Sequence, residues 1–236
     1  MLYNFEKTLV VILLSLLFSC KNCNNENHYK NFAIVTAKYE ATKAGHKILK
    51  MGGNAFDAMI ATDLALSVVY PNAGNLGGGG FMVYRTSNSQ YGSIDYREKA
   101  PILSSENMYL DKNGNIIKNL SREGSLSIGV PGTVAGLFEV YEKFGTLPLD
   151  SIFKPALELA KDGFKLTKKQ ADLFNSSKSK ILINSDSLSL FNKDFKKDMI
   201  FSNDKLYKTL KYLLKNGVEG FYDGDISKLV GIDVST

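Results

Sequence analysis

Between Asn54 and Pro71 lies a helix-length stretch with apolar side chains on every side: Ala55, Phe56, Ala58, Met59, Ile60, Ala61, Leu64, Ala65, Leu66, Val68 and Val69. A helix that is apolar all round cannot lie on a surface, so it demands neighbours on several sides and a layered fold around it. Its ends are written in the residues. Asn54 is an N-cap type, Asp57 places an acid at the third helical position where the dipole favours it, and Pro71 is a stop. With 44% hydrophobic and 22% charged residues among 236, the chain is long and apolar enough to bury a core without disulfide staples, and disorder, collagen and coiled coil are excluded.

The elements around this helix follow from the same kind of reading. Phe32 to Ala37 reads as a short buried strand, and Ala37, Ala41, Ala44 and Ile48 recur at helical spacing up to a Gly52-Gly53 stop. Beyond Pro71, four consecutive glycines at 77 to 80 lead into Phe81 to Arg85, a strand pattern that pairs as a hairpin with Gly92 to Arg97. A phosphate cradle runs from strand through loop into helix; here the loop follows a helix and leads into a strand, which argues against nucleotide binding. Asp111 to Gly114 is a turn by composition, and Ser125 to Val130 reads as a strand. Pro131-Gly132 opens a helix from Thr133 to Phe144. The rest is helical, with Pro155 suited to a first helical turn, Gly163 a stop, Thr167 and Asp204 caps, and Leu206, Leu210 and Leu213 on one face.

At the other end, Lys7 followed by the apolar run Leu9 to Phe18 and then Ser19-Cys20 has the layout of an export signal. Ten residues at about 1.5 Å rise fall short of a hydrocarbon core of roughly 30 Å, so a spanning helix is the poorer reading. The segment resembles a bacterial lipoprotein signal, with Cys20 as the lipidated first residue of the mature chain, residues 1–19 as signal and 20–30 as a tether. That implies an exported protein anchored to a bacterial membrane on its periplasmic or outer side. Cys20 and Cys23 also have a redox or zinc spacing, but the only histidines, His28 and His46, stand in no spaced pair with another ligand, and the cysteines follow a leader instead of a strand. No metal site is expected.

Charge is uneven along the chain. From Lys161 to Lys215 there are thirteen Lys against six Asp, with no Arg. Nucleic-acid binding would want Arg and aromatics interleaved on one face, so a solvated helical surface is the reading of this stretch and no nucleic-acid partner is expected.

Six segments, in order, resemble one family. They are Met51-Gly52-Gly53-Asn54-Ala55-Phe56-Asp57-Ala58, Gly77-Gly78-Gly79-Gly80-Phe81, Asp95-Tyr96-Arg97-Glu98-Lys99-Ala100-Pro101, Gly129-Val130-Pro131-Gly132-Thr133-Val134-Ala135-Gly136, Pro155-Ala156-Leu157-Glu158-Leu159-Ala160 and Gly220-Phe221-Tyr222-Asp223-Gly224. Together they are similar to the N-terminal, larger subunit of the γ-glutamyltranspeptidases (glutathione hydrolases). The resemblance implies an α+β chain contributing part of an N-terminal-nucleophile hydrolase fold, stacked sheets between helical layers, over residues 31–236. It implies no cofactor and a small γ-glutamyl substrate such as glutathione, whose amide a Thr hydroxyl attacks. It also implies that Arg97 binds the substrate's α-carboxylate. By spacing alone Arg97 is a strand-end residue paired with Asp95 or Glu98.

The family's nucleophile stands in a Thr-Thr-His motif at the start of the smaller subunit, and no Thr of this chain is followed by His. The expectation is a large-subunit segment truncated before the catalytic Thr, without a nucleophile of its own, inactive alone and partnered by a small-subunit chain. Two other readings stay open: a non-catalytic surface lipoprotein that binds, and part of a related amide acylase.

Overall fold

The structure, a computed structural model, describes residues 31–183 and 189–230. The signal, the tether and Cys20 lie outside the described residues. From Ile34 onward the chain forms one unit, in which helices surround the largely apolar segment. Helix α1 (Tyr39–Lys50) is followed by α2 (Ala55–Val69), the hairpin β1 (Phe81–Arg85) and β2 (Tyr91–Asp95), then α3 (Thr133–Phe144) and α4 (Leu149–Asp162). A two-residue strand β3 (Phe164–Lys165), α5 (Lys168–Ile183), β4 (Ile200–Phe201), α6 (Asp204–Tyr222) and α7 (Asp225–Val230) complete it.

Helix α2 is the hub, packed against α1, α3 and α4, with Ala58, Ile60, Ala61, Leu64, Ala65, Val68 and Val69 all buried. Its start is a capping box. Asn54 Oδ1 accepts from the N–H groups of Phe56 and Asp57, and the Asn54 N–H donates back to Asp57 Oδ2 over 3.0 Å. Asp57 is fully buried, and its carboxylate also accepts from Thr146 N–H at 3.0 Å and from the Thr146 hydroxyl. The amide of Asn54 donates to Phe144 O at 2.6 Å, so the first turn of α2 is bolted to the last turn of α3. Phe56 stacks on Phe144 at 4.2 Å, and Tyr84 of β1 leans on both rings at 5.7 and 4.9 Å, which seats the hairpin on the same corner.

The hairpin pairs Met82 with Ile94 and Tyr84 with Gly92 on its inner face. Its outer face carries Phe81, Val83 and Tyr91, with Phe81 68% and Val83 85% exposed. Among the described residues these two strands and the β3–β4 pair are the only ladders.

Several expectations are corrected. Phe32 to Ala37 forms no strand: Ile34 packs on the core and Val35 is exposed, and the ladders among the described residues do not include this run. Ser125 to Val130 is a 3₁₀ turn at 125–127 followed by a single bridge from Val130 to Lys99. The second hairpin strand covers Tyr91–Asp95, leaving Arg97 just past its end. Pro155 stands in the seventh position of α4, because Pro148 already supplies the start, and burial of Ile152, Phe153, Pro155, Ala156 and Ala160 outweighs one missing N–H. Asn203, not Asp204, caps α6, accepting from Leu206 N–H at 3.0 Å. Gly163 ends α4 as expected, with a φ of 81° that a side chain would resist.

Replacing Asp57 by Ala removes the buried acceptor of three hydrogen bonds that join Asn54 to Thr146, so it is expected to destabilise the chain by about 1–3 kcal/mol. The midpoint of urea unfolding measures this. A shift equivalent to less than about 0.5 kcal/mol, the scale of an ordinary surface change, would show that the corner between α2 and α3 does not depend on this carboxylate.

Candidate functional site

Three of the six singled-out segments line one cleft, and a fourth, the glycine loop, is hydrogen-bonded to two of them. The Gly77–Gly80 loop, the stretch after β2 and the start of α3 are stitched together by backbone hydrogen bonds, and the end of α6 joins them through a side chain. Gly80 and Tyr96 exchange N–H···O bonds at 3.2 and 2.9 Å, Lys99 and Val130 do the same at 3.1 and 2.8 Å, and the N–H groups of Gly132 and Thr133 both donate to Gly78 O. Tyr222 closes the ring: its hydroxyl donates to Pro131 O at 2.6 Å and accepts from Ala135 N–H at 3.3 Å. Burial pushes the Tyr222 phenol up, so it remains a donor to that carbonyl at neutral pH.

The glycines have a specific use here. A Cβ on Gly132 would sit 2.0 Å from Tyr96 O, one on Gly136 2.2 Å from Tyr96 Cγ, and one on Gly79 2.6 Å from Tyr96 O. Three glycines thus let Tyr96 sink against the start of α3, and the main chain emerges with Arg97 at the cleft. Behind it, burial raises the carboxyl of Asp63 on α2 above the ordinary carboxylate range. Burial, with the Asp63 charge second, also raises the Tyr96 phenol.

The cleft has a volume of about 530 Å³ and is lined by Asp95, Arg97, Lys99, Glu139, Tyr222 and Asp223 among others. Arg97 is paired with Asp95: Nε–H donates to Oδ1 at 3.2 Å and Nη2 to Oδ2 at 3.0 Å, while the Arg97 backbone N–H also reaches Oδ1 at 3.1 Å. Both side chains are more than half exposed, at 64% and 59%. The side-chain bonds from Arg97, then its backbone N–H, hold the Asp95 carboxyl below the usual carboxylate range. Phe81 lies under the guanidinium at 5.7 Å.

A guanidinium has five N–H groups in a planar fork. Asp95 takes the Nε–Nη2 side, leaving the Nη1–Nη2 edge with the geometry to hold a second carboxylate through two parallel bonds. The pairing with Asp95 expected from spacing is therefore present, and it orients the residue without using up its donors. Sequence reasoning had no independent signal for Tyr222 or for Tyr96 as the residue the glycines surround; both lie inside the quoted segments but have no chemistry-bearing spacing. The Met51–Ala58 segment instead forms the capping box, and Pro155–Ala160 a buried face of α4.

The family model described as Gamma-glutamyltranspeptidase matches residues 41–235. The chain is 42% identical over 220 residues to the glutathione hydrolase proenzyme of Pseudomonas sp. (strain A14), covering 85% of this chain and 36% of that protein. It is 40% identical to the glutathione hydrolase proenzyme of Escherichia coli (strain K12), with 85% and 35% covered. The crystal structure of Helicobacter pylori gamma-glutamyltranspeptidase superposes with a TM-score of 0.80 at 37% identity, over 85% of this chain and 59% of that one. The chain thus spans little more than a third of the curated relatives it matches. Its α+β architecture is part of an N-terminal-nucleophile hydrolase fold.

Gly132→Ala tests the seat of Tyr96, since backbone stands where the new methyl must go. It is expected to cost about 1–3 kcal/mol in unfolding and to displace Arg97. Because the folded Asp95 value is lowered, its ion pair is complete above the ordinary range and is lost as pH falls through the lowered value. In the variant, NMR titration of the Asp95 carboxyl is expected to move up toward the ordinary carboxylate range. An unchanged titration would mean that Arg97 is placed independently of the glycine seat.

Proposed function

The chain belongs to the γ-glutamyltranspeptidase family, and we propose that it supplies the donor-binding half of an enzyme that transfers or hydrolyses the γ-glutamyl group of glutathione-like amides. In this reading the α-carboxylate of the donor lies on the Nη1–Nη2 edge of Arg97, with Asp95 bracing the guanidinium from the side. The γ-amide carbon then faces a Thr hydroxyl contributed by the part of the enzyme that the relatives have in addition. The hydroxyl attacks, the amide C–N bond breaks, the proton passes to the departing amine, and water or an amine releases the acyl group. The exposed apolar face of Phe81, Val83 and Tyr91 is where that second part packs. What carries the reading is the convergence of three family segments on one cleft around a guanidinium that still has a two-pronged edge to offer.

The localisation belongs to the same proposal. Cys20 is the lipid-attachment residue of an exported protein, and the segment around it is read from sequence alone; among the described residues no helix is long and apolar enough to cross a membrane.

Assayed alone, the chain is expected to release no product from a chromogenic γ-glutamyl anilide. Coexpressed with the nucleophile-bearing segment of a related proenzyme, it is expected to restore turnover. In that complex Arg97→Lys keeps the charge but loses the planar fork, and should lower kcat/KM roughly ten- to a hundredfold, mainly through KM. An unchanged kcat/KM in the Lys variant would reduce Arg97 to a strand-end ion-pair residue.

Labelled fatty acid fed to producing cells is expected in the wild type and in Cys23→Ala, but not in Cys20→Ala. Equal label in wild type and Cys20→Ala would overturn the anchor.

A further inference from the structure

Helix α3 begins without a side-chain cap of its own. Its N-cap position is held by Gly132, whereas α2 and α6 carry Asn54 and Asn203 there, each accepting from the first helical N–H groups. The seat of Tyr96 forbids such a residue, because Ser, Thr, Asp or Asn at 132 would bring a Cβ to 2.0 Å from Tyr96 O. The acceptor comes instead from 87 positions on. Tyr222 Oη takes the N–H of Ala135, the third residue of α3, which is the bond an N-cap side chain makes, and the same hydroxyl donates to Pro131 O.

These two bonds reach Arg97 through the stretch they hold. Arg97 stands between Tyr96 and Lys99, and both are tied to residues 130–136: Lys99 exchanges N–H···O bonds with Val130, and Tyr96 packs on Gly132 and Gly136. Tyr222 grips the same stretch at Pro131 and Ala135, interleaved with those ties. The arm that carries Tyr222 is shaped for this placement. Helix α6 breaks at Gly217, whose φ of 64° glycine adopts without strain, and beyond the break Phe221 is buried while Tyr222 lines the cleft. A Cβ on Gly220 would come within 2.7 Å of Asn216 Cβ, and one on Gly224 within 2.6 Å of Gly220 O, so both glycines let the arm close tightly.

We infer that Tyr222 is a positioning residue for Arg97: it caps α3 from outside the helix and so fixes the main chain from which the guanidinium fork projects, without itself touching the donor. Loss of the hydroxyl leaves Ala135 N–H and Pro131 O without their partner and frees the first turn of α3 to shift under Tyr96. For its effect on turnover the inference rests on the donor-binding reading above. Its effect on the chain alone does not, so the two fail separately.

The test is Tyr222→Phe, which keeps the ring and its contact with Phe221 at 5.0 Å and removes only the hydroxyl. In the chain alone, amide hydrogen exchange at Ala135 and Lys99 is expected to quicken by about tenfold, and NMR titration of the Asp95 carboxyl to move up toward the ordinary range as the fork loosens. In the complex with the nucleophile-bearing segment, KM for the γ-glutamyl donor should rise about three- to tenfold with kcat within about twofold. Gly217→Ala is a milder second variant: its methyl meets nothing closer than Glu219 Oε2 at 3.4 Å, but the positive φ is strained, so the arm shifts with its hydroxyl intact and the same readouts move less. Phe221→Leu is the control. It weakens packing in the same arm and keeps the hydroxyl, so it should lower the unfolding midpoint and leave the Asp95 titration and KM where they are. An Asp95 titration and an Ala135 exchange rate unchanged in both arm variants, an equal shift in Phe221→Leu, or an unchanged KM in an active Tyr222→Phe complex would each overturn the assignment. The same shifts in a complex that turns over no γ-glutamyl donor would sink the donor-binding reading and still support the hold of Tyr222 on Arg97.

Discussion

Asp57 is where the architecture is tied. A carboxylate taken out of water is costly unless every lone pair it turns inward meets a donor. Here it accepts from Asn54 N–H, Thr146 N–H and the Thr146 hydroxyl, at the positive end of the α2 dipole. The same bonds that satisfy the charge join two helix ends, and the stacked rings of Phe56 and Phe144 cover the join. Because Tyr84 leans on that pair, the hairpin's position follows from it, and with the hairpin the position of Asp95 and Arg97.

The cleft depends on the absence of side chains as much as on their presence. Gly79, Gly132 and Gly136 let Tyr96 approach the backbone of α3 more closely than any other residues would allow, and Tyr222 fixes that backbone from the opposite side. Arg97 thus stands on a rigid base although its own side chain is exposed. Its pairing with Asp95 lies in the open, where Coulomb attraction is weak, so the pair matters for the direction of the fork more than for holding the fold together.

One surface stands out as uncovered by the chain itself. The outer hairpin face exposes Phe81, Val83 and Tyr91 opposite Asp95, Ser93 and Arg85, and its strand edges are open among the described residues, which suits a protein partner that excludes water from the apolar side chains and pairs the polar ones.

What the sequence determined by itself was local. The apolar circumference of α2, its Asn54 cap, the hairpin alternation, the start of α3 after Gly132 and the Gly163 stop are all set by residues within a turn or two of one another, and each has a periodic or stereochemical mark. The family segments named Arg97 in advance, and the Asp95 partner two residues away could be read from spacing. The tertiary structure alone decided the rest: that Asp57 meets Thr146, 89 positions on, that Tyr222 meets Pro131, 91 positions back, and that Ile34 packs on the core from a run that is not a strand. Contacts of that separation are fixed by how helices pack around a shared core. They leave no period in the chain, which is why the glycines were visible as a motif while their purpose, a seat for Tyr96, was visible only once the fold brought the two together.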